Sequence, residues 1–392
     1  MKTRYIIACN HSYPDVGGCE NVVKNISERL AKTKPGYEVC VVSKSVRRPF
    51  RHNNVSYLPL GDTYLKFIRK VSSLNPKSLL IYSDMFVYYK DILMRQSHNW
   101  YYPISLCPVG FNQTHSNNQL KDFLKKRSDR FTPIIVHSRF SDDYKLCSDL
   151  GIDVEIIPNG VDLSEFAYHG FNFKGHYGID HDDSLVVCVS NFFPGKNQAE
   201  IPKILEHSVK SGADKVNFVA IASDSVHPSS KALETSFMRA MGSPHAKKFY
   251  KSFRLLKNIP REHVVQAMKE ADVSLFPSEQ EVAPLVLIES MAARTPFISY
   301  AVGNAAELNG GFAVQSVREE NGITKAVKSP SILGASLEAI LSDTSLWSSL
   351  SERGRSQVES DFDWDKIMEK YMYHVFDREQ GARYEQYEER DI

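Results

Sequence analysis

The sequence predicts an α/β protein with parallel sheets and two domains. The chain has 392 residues, which is more than one hydrophobic core usually supports. Residues 271–308 combine an apolar strand, a loop, a helix and a second strand, in the order of a β-α-β unit. The run Ser184–Ser190 is almost continuously apolar, as is typical of a central strand in a parallel sheet.

The β-α-β unit at residues 271–308 has the most regular pattern. Val273–Phe276 is short, apolar and followed by a proline, which predicts a buried strand that ends at a loop. A helix is predicted from Leu285, because apolar residues recur there at helical spacing and Pro284 occupies a first-turn position, where its missing N–H costs nothing. The second strand is predicted at Phe297–Tyr300.

Strands and helices alternate along the rest of the chain as well. The first half is predicted to contain strands at Tyr5–Cys9, Glu38–Ser43, Ser78–Ser83, Trp100–Leu106, Thr132–His137 and Val154–Ile157 and helices at Asn21–Lys32 and Ser138–Leu150. The second half is predicted to contain a strand at Val216–Ala222 and helices at Arg261–Ala271, Ser345–Ser360 and Asp365–Arg378. An irregular stretch after the Pro158-Asn159-Gly160 turn predicts a linker, with the domain boundary within residues 165–177.

Composition indicates a globular protein of a reducing compartment. Hydrophobic residues make up 42% and charged residues 24% of the chain, and the net charge of +1 gives no overall attraction to nucleic acid or membrane. The six cysteines lack the spacing of zinc ligands, so no metal site is predicted. No apolar run approaches the ~18 residues of a membrane span, and the apolar opening is too short for a signal peptide. We therefore predict a cytoplasmic location.

A pair of glycines lies between the first strand and the first helix. Gly17 and Gly18 allow a ligand to approach the main chain closely, and such a turn before a helix is a phosphate-binding arrangement. The alternative is a simple tight turn in which Glu20 stabilises the start of the helix.

A basic cluster follows the second predicted strand. Arg47, Arg48 and Arg51 lie close to Phe50 and His52. Such a run is usually a solvated loop, but it is also the best candidate in the sequence for binding an anionic acceptor. The acceptors that fit this chemistry are a phospholipid head group, a lipid-linked sugar and a nucleic acid.

Two carboxylates flank the predicted start of the helix at Leu285. The free N–H groups and the dipole of a helix start favour an anion such as phosphate. Glu281 precedes this start and Glu289 lies about one turn inside it, and ionised carboxylates accept hydrogen bonds from hydroxyls. A nucleotide sugar has the matching order of transferred sugar, diphosphate and ribose. An arbitrary pair of acids would more often be simply solvated.

The spacing of these acids resembles the E-x7-E motif of the retaining GT-B glycosyltransferases of sequence family four. Ser290-Met291-Ala292, Val302-Gly303-Asn304, the Gly17-Gly18 loop and Pro158-Asn159-Gly160 follow the family's order. The resemblance implies an α/β fold of the GT-B type, with two Rossmann-like, doubly wound domains facing across a cleft and a C-terminal helix crossing back to the first domain. It implies an N-terminal acceptor-side domain at 1–168, a donor-binding domain at 169–360, and a crossover helix with a charged tail at 361–392.

The resemblance also implies roles for individual residues. Glu281 would contact the transferred sugar and Glu289 the ribose, while the backbone amides of Leu285 and Val286 would hold the diphosphate, since Pro284 has no N–H. Gly17 and Gly18 would face the same diphosphate.

Two further positions follow from the resemblance. Lys196 matches the family's diphosphate-neutralising lysine, and Asn191 stands where the family usually has an arginine. The family's histidine near residues 106–111 is missing, and His115 is the substitute that the sequence offers.

These observations predict a retaining glycosyltransferase that moves a sugar from a nucleotide-diphosphate donor to an acceptor hydroxyl, without a metal or another cofactor. A glycan or a glycolipid is the expected acceptor, with peripheral membrane contact or a nucleic acid acceptor as open alternatives. A sugar epimerase, a phosphorylase of the same fold, or an inactive nucleotide-sugar-binding or scaffold protein are the alternative functions.

Overall fold

Two six-stranded sheets form the framework of the protein. The computed structural model describes residues 3–60, 76–82, 104–107, 128–167, 170–208, 216–224, 227–320 and 323–377, with short pieces at 70–71, 73–74, 121 and 124–126. The strands of the first sheet are β1 (Arg4–Cys9), β2 (Glu38–Ser43), β3 (Phe50–His52), β4 (Val55–Pro59), β5 (Pro76–Tyr82) and β6 (Ile104–Cys107). Their spatial order is β3-β4-β2-β1-β5-β6, and β3 alone pairs antiparallel, with β4.

The central strands of this sheet are apolar on both faces because both faces are covered. Tyr5 and Ile7 of β1 lie in one core cluster, and Ile6 and Ala8 lie in the other. Burial on both faces explains why β1 appears as a continuous apolar run rather than as an alternating pattern.

Helices and a small sheet complete the first domain and the linker. Helix α1 (Gly18–Thr33) packs Val22, Ile26 and Leu30 into the core beneath β1. The two-residue strands β7 (Ile135–Val136) and β8 (Glu155–Ile156) pair in parallel. The α-helices that the structure describes between β7 and the second sheet are α2 (Asp142–Asp149), α3 (Leu163–Ala167) and α4 (Phe173–His176).

The second sheet is parallel throughout. Its strands are β9 (Leu185–Val189), β10 (Val216–Ala222), β11 (Tyr250–Lys257), β12 (Val273–Phe276), β13 (Phe297–Tyr300) and β14 (Gly311–Val314), in the spatial order β11-β10-β9-β12-β13-β14. A separate antiparallel hairpin is formed by β15 (Val317–Glu320) and β16 (Ile323–Ala326). The helices are α5 (Ile201–Ser208), α6 (Ser230–Met241), α7 (Arg261–Glu270), α8 (Leu285–Ala292), α9 (Pro330–Ser342) and α10 (Thr344–Gln357).

The end of the described chain returns to the first domain, which confirms the predicted crossover. After α10, helix α11 (Trp364–Tyr371) buries Trp364, Ile367 and Tyr371 in the same core cluster as β1. Gly160 fits beneath this helix only because it has no side chain, since a Cβ there would lie 2.6 Å from the Trp364 ring. The tail at 379–392 lies outside the described residues.

Several sequence predictions hold to the residue and others are wrong. The structure confirms the strands Glu38–Ser43, Val216–Ala222, Val273–Phe276 and Phe297–Tyr300. The strand predicted at Thr132–His137 is only two residues long, at Ile135–Val136. The helix predicted from Ser138 begins at Asp142, since Ser141 is its N-cap and accepts a hydrogen bond from the Tyr144 backbone N–H.

No helix in the described part of the chain is long and apolar enough to cross a membrane. None of the six cysteines forms a disulfide, and all six lie within described residues.

Candidate functional site

The starts of two helices meet between the two sheets. Gly17 and Gly18 lie after β1, with Gly17 as the N-cap of α1, and Leu285 is the first residue of α8. A Cβ placed on Gly18 would lie 3.8 Å from Leu285 Cδ1, and the Leu285 side chain packs against the core cluster of the first domain. The predicted glycine loop and the predicted amide site thus lie together, at the carboxyl ends of their strands, where α/β sheets bind ligands.

The loop between β12 and α8 is held in place from several sides. The Glu279 N–H donates to Gly195 O at 2.6 Å, and Asn159 Nδ2 donates to Ala283 O at 3.0 Å. The Asn304 N–H donates to Val282 O at 3.2 Å. These hydrogen bonds come from both domains and hold the loop in place, although the loop has no regular secondary structure.

Glu281 of this loop forms an ion pair with Lys196. The Lys196 ammonium also lies 5.0 Å from the centroid of the Phe276 ring, and the Ser278 hydroxyl donates to the same Glu281 oxygen. The Glu281 side chain is only 12% exposed and the Lys196 side chain 24%, so both charges are partly withdrawn from water. The two residues predicted to serve the sugar and the diphosphate are therefore neighbours, and Ser278 is a partner that sequence reasoning missed.

Glu289 lies one turn inside α8 and is 8% exposed. Its Oε1 accepts from Arg261 Nη2, and the same guanidinium donates to Glu165 Oε2 from Nε at 3.0 Å and from Nη2 at 2.9 Å. Burial acts to lower the pKa of Arg261, but the carboxylates of Glu289 and Glu165 outweigh it and hold the pKa above its usual value. Sequence reasoning missed Arg261 because its partner is 28 positions away along the chain.

The other second-domain candidates lie around the same loop. The N–H groups of Leu285 and Val286, the first two residues of α8, make no hydrogen bond to any described residue, whereas the Leu287 N–H donates to Pro284 O at 3.3 Å. Pro284 is the N-cap of α8, one residue ahead of its predicted first-turn position. Asn191 uses its side-chain Oδ1 to accept from the Ser223 N–H at 2.8 Å, so this oxygen holds the end of β10. Its Nδ2 makes no hydrogen bond to any other described residue.

The basic cluster is exposed, as a solvated run would be. Arg47 and Arg48 follow β2 in a loop, while Arg51 lies in β3. Part of the predicted loop is therefore a strand, which pairs antiparallel with β4. Phe50 stacks on Tyr57 at 4.7 Å between ring centroids, and this packing holds the hairpin against the sheet. The segment begins at the carboxyl end of β2, on the same edge as the glycine loop. His115 lies outside the described residues.

A buried histidine lies at the carboxyl ends of β5 and β6, and nothing in the sequence pattern indicated it. His137 Nδ1 donates to Ile157 O at 2.8 Å, because a carbonyl can only accept; its Nε2 then accepts from Tyr82 OH at 3.1 Å. Burial lowers the pKa of His137 and raises the pKa values of Tyr82 and Cys107 well above their usual range. The cluster is therefore neutral and acts as a hydrogen-bonded support beneath the cleft.

No group of three or more His, Cys, Asp or Glu side chains in the described part of the chain is arranged to hold a metal ion.

Comparison with known proteins shows what the second domain is similar to. Residues 171–357 match the family model described as Glycosyl transferases group 1. This segment is therefore similar to glycosyltransferase group 1 domains. It contains Asn191, Lys196, Glu281 and Glu289 together with the amides at the start of α8.

Relatives extend the likeness beyond this domain. An uncharacterized glycosyltransferase of Methanocaldococcus jannaschii is 25% identical over 228 residues, which cover 55% of this chain and 51% of the relative. The chain thus aligns with about half the length of this curated relative.

Solved structures that cover most of the chain show a fold of the GT-B type. Sucrose-phosphate synthase from Thermosynechococcus elongatus superposes with a TM-score of 0.74 at 17% identity, covering 94% of this chain and 98% of the other. HepE of Anabaena, solved in complex with UDP-glucose, superposes with a TM-score of 0.69 at 14% identity, covering 94% of this chain and 98% of the other.

Proposed function

We propose that the protein is a retaining glycosyltransferase that moves a sugar from a nucleotide-diphosphate donor to an acceptor hydroxyl. The observation that carries this proposal is the arrangement around α8, where the Lys196–Glu281 pair and the Arg261–Glu289 pair lie on either side of the unpaired N–H groups of Leu285 and Val286. In one cleft, the N–H groups can bind the diphosphate, Glu281 the transferred sugar and Glu289 the ribose.

Catalysis requires stabilisation of the diphosphate as its bond to the sugar breaks. The N–H groups of Leu285 and Val286 and the ammonium of Lys196 are pre-set donors for that charge. Glu281, already partnered by Ser278, accepts from a sugar hydroxyl and fixes the ring. The acceptor oxygen bonds to the anomeric carbon from the face that the diphosphate leaves, and its proton passes to a diphosphate oxygen, so configuration is retained without a protein nucleophile.

We assign the first domain to the acceptor. Arg47 and Arg48 are exposed just after the carboxyl end of β2 and suit an anionic group on a glycan, a glycolipid at a membrane surface or a nucleic acid. Arg51 is also exposed, but it lies opposite Ser56, toward the amino end of β2 and away from the cleft edge. The domain limits at residues 168 and 360 and the cytoplasmic location belong to the same proposal.

A screen for donors tests the proposed function. Thermal unfolding is measured with UDP-, GDP-, ADP- and CMP-sugars for the wild type and for Glu289→Ala, with Glu352→Ala on α10 as an exposed control. We expect one nucleotide sugar to raise the Tm of the wild type and of the control but not that of Glu289→Ala. Stabilisation by none of these donors would overturn the proposal. Binding with no turnover once acceptors are supplied would favour the inactive nucleotide-sugar-binding protein.

A further inference from the structure

Arg261 occupies a position that local electrostatics disfavours. It is the first residue of α7, where the positive end of the helix dipole repels a cation. Its tertiary contacts compensate for this, since the guanidinium binds Glu165 and Glu289 and lies 6.0 Å from the centroid of the Phe166 ring. Glu165 and Phe166 belong to α3, which follows the turn between the domains.

The contacts of Arg261 divide the Glu289 carboxylate into two halves. Oε1 is taken by Arg261, while Oε2 makes no hydrogen bond to any other described residue. Burying a carboxylate without a counter-charge would cost free energy. An arginine that binds one carboxylate oxygen supplies the counter-charge and leaves the lone pairs of the other oxygen available to a ligand. The free oxygen of such a carboxylate can accept hydrogen bonds from two neighbouring hydroxyls.

We propose that Arg261 is a positioning residue for the ribose of the donor, which holds Glu289 so that Oε2 accepts from the ribose hydroxyls. This inference rests on the proposed function and assigns Arg261 no contact with the reacting atoms. Glu165 and Phe166 hold the guanidinium in turn, so the linker helix α3 contributes to the donor site.

The test measures discrimination between ribose and deoxyribose. Calorimetric titration gives the Kd values of UDP, GDP and ADP and of their 2′-deoxy forms for the wild type, Arg261→Ala, Arg261→Lys and the exposed control Arg353→Ala. We expect the wild type and the control to prefer the ribose form at least tenfold. In Arg261→Ala the ribose form should weaken about tenfold while the deoxy form stays within about twofold, and Arg261→Lys should recover part of the preference.

Equal weakening of both forms in Arg261→Ala, or an unchanged preference, would overturn the role of Arg261 and leave the proposed function standing. Absence of binding to every nucleotide in the wild type would overturn both. If Arg261→Ala does not fold, Glu165→Gln, which removes the negative charge of one partner of Arg261 but keeps the arginine, must still reduce the preference; an unchanged preference there and in Arg261→Lys would count against the inference.

Discussion

Several charged side chains in the cleft have an ion-pair partner and can still bind a ligand. Lys196 is held by Glu281 and by the face of Phe276 and keeps only 24% of its side chain exposed. In such a partly desolvated place an ammonium stabilises a developing diphosphate charge more strongly than it would in water.

Replacing Lys196 should therefore reduce the rate of transfer more than the affinity for the donor. We expect Lys196→Ala to lower kcat by about 100-fold or more, the usual cost of removing one donor to a developing oxyanion. Steady-state kinetics with the donor found by the screen measures this. Lys203→Ala, at a side chain that is 65% exposed, is the control and should retain wild-type kcat. A kcat of Lys196→Ala within threefold of wild type would contradict the role.

His137 gives a pH dependence of stability. Burial lowers its pKa in the folded state, so between its usual value of about 6.5 and the lower folded value the unfolded chain binds more protons than the folded one. The contribution of the neutral His137 to the free energy of unfolding is fully present above pH 6.5 and is lost as the pH falls through the pKa of His137 in the folded state.

Denaturant unfolding at pH 7.5 and pH 5.5 tests this dependence. His137→Gln should reduce the loss of stability between these pH values, by up to about 1.4 kcal/mol per pH unit for one proton. His181→Gln, whose imidazole is 94% exposed, should leave the loss as it is in the wild type. An unaltered pH slope in His137→Gln would contradict a neutral buried imidazole.

At the scale of elements, the loop before α8 owes its shape to glycine as well as to hydrogen bonds. Gly303 has a φ of +57°, and a Cβ there would lie 2.4 Å from Val282 O. The backbone after β13 can approach the site loop so closely only because this residue has no side chain.

Gly303→Ala should therefore lower the free energy of unfolding by about 1–3 kcal/mol and weaken donor binding, because the loop that carries Glu281 must shift. Chemical denaturation and donor titration measure the two effects. Gly36→Ala is the matched control, since a Cβ there meets no atom within 4 Å. Donor affinity unchanged in Gly303→Ala would show that the loop tolerates the shift.

The sequence predicted those elements whose pattern is local. Val273–Phe276 and Phe297–Tyr300 could be predicted because apolar runs and flanking prolines are read within a few residues. The hairpin of β15 and β16 could not be predicted from an apolar pattern, because its strands are only four residues long and rich in charged side chains. Asn321-Gly322, a common short-turn signal, separates these strands in the sequence.

The site divides in the same way. Glu281, Glu289 and Lys196 could be found by motif, whereas Ser278 and Arg261 could not, because their importance arises from tertiary contacts rather than from spacing. The donor-binding role of Asn191 stays a prediction, since its Oδ1 accepts from the Ser223 N–H while its Nδ2 makes no hydrogen bond to any other described residue.

At the scale of the whole molecule, the C-terminal crossover joins the two domains. The Val161 N–H donates to Phe362 O at 2.8 Å, and Arg29 of α1 binds both Asp162 at 2.9 Å and Asp365 at 2.8 Å. The first domain, the linker and α11 therefore share one set of contacts, with Trp364 buried at their centre.

Removing the Trp364 side chain should destabilise the first domain by about 3–5 kcal/mol through the cavity it leaves. Thermal unfolding of Trp364→Ala, compared with Tyr373→Ala at a residue that is 61% exposed, measures this. A Tm as high as that of the control would mean that the crossover contributes little to the first domain.

The proposed retaining transfer is tested by following a nucleotide sugar by proton NMR with the wild type and with Glu281→Gln. We expect the wild type to release nucleoside diphosphate slowly, together with a sugar whose first-formed anomer has the configuration of the donor, and we expect Glu281→Gln to slow this release at least tenfold. A first-formed anomer of inverted configuration, or the same release rate in both proteins, would contradict the proposal.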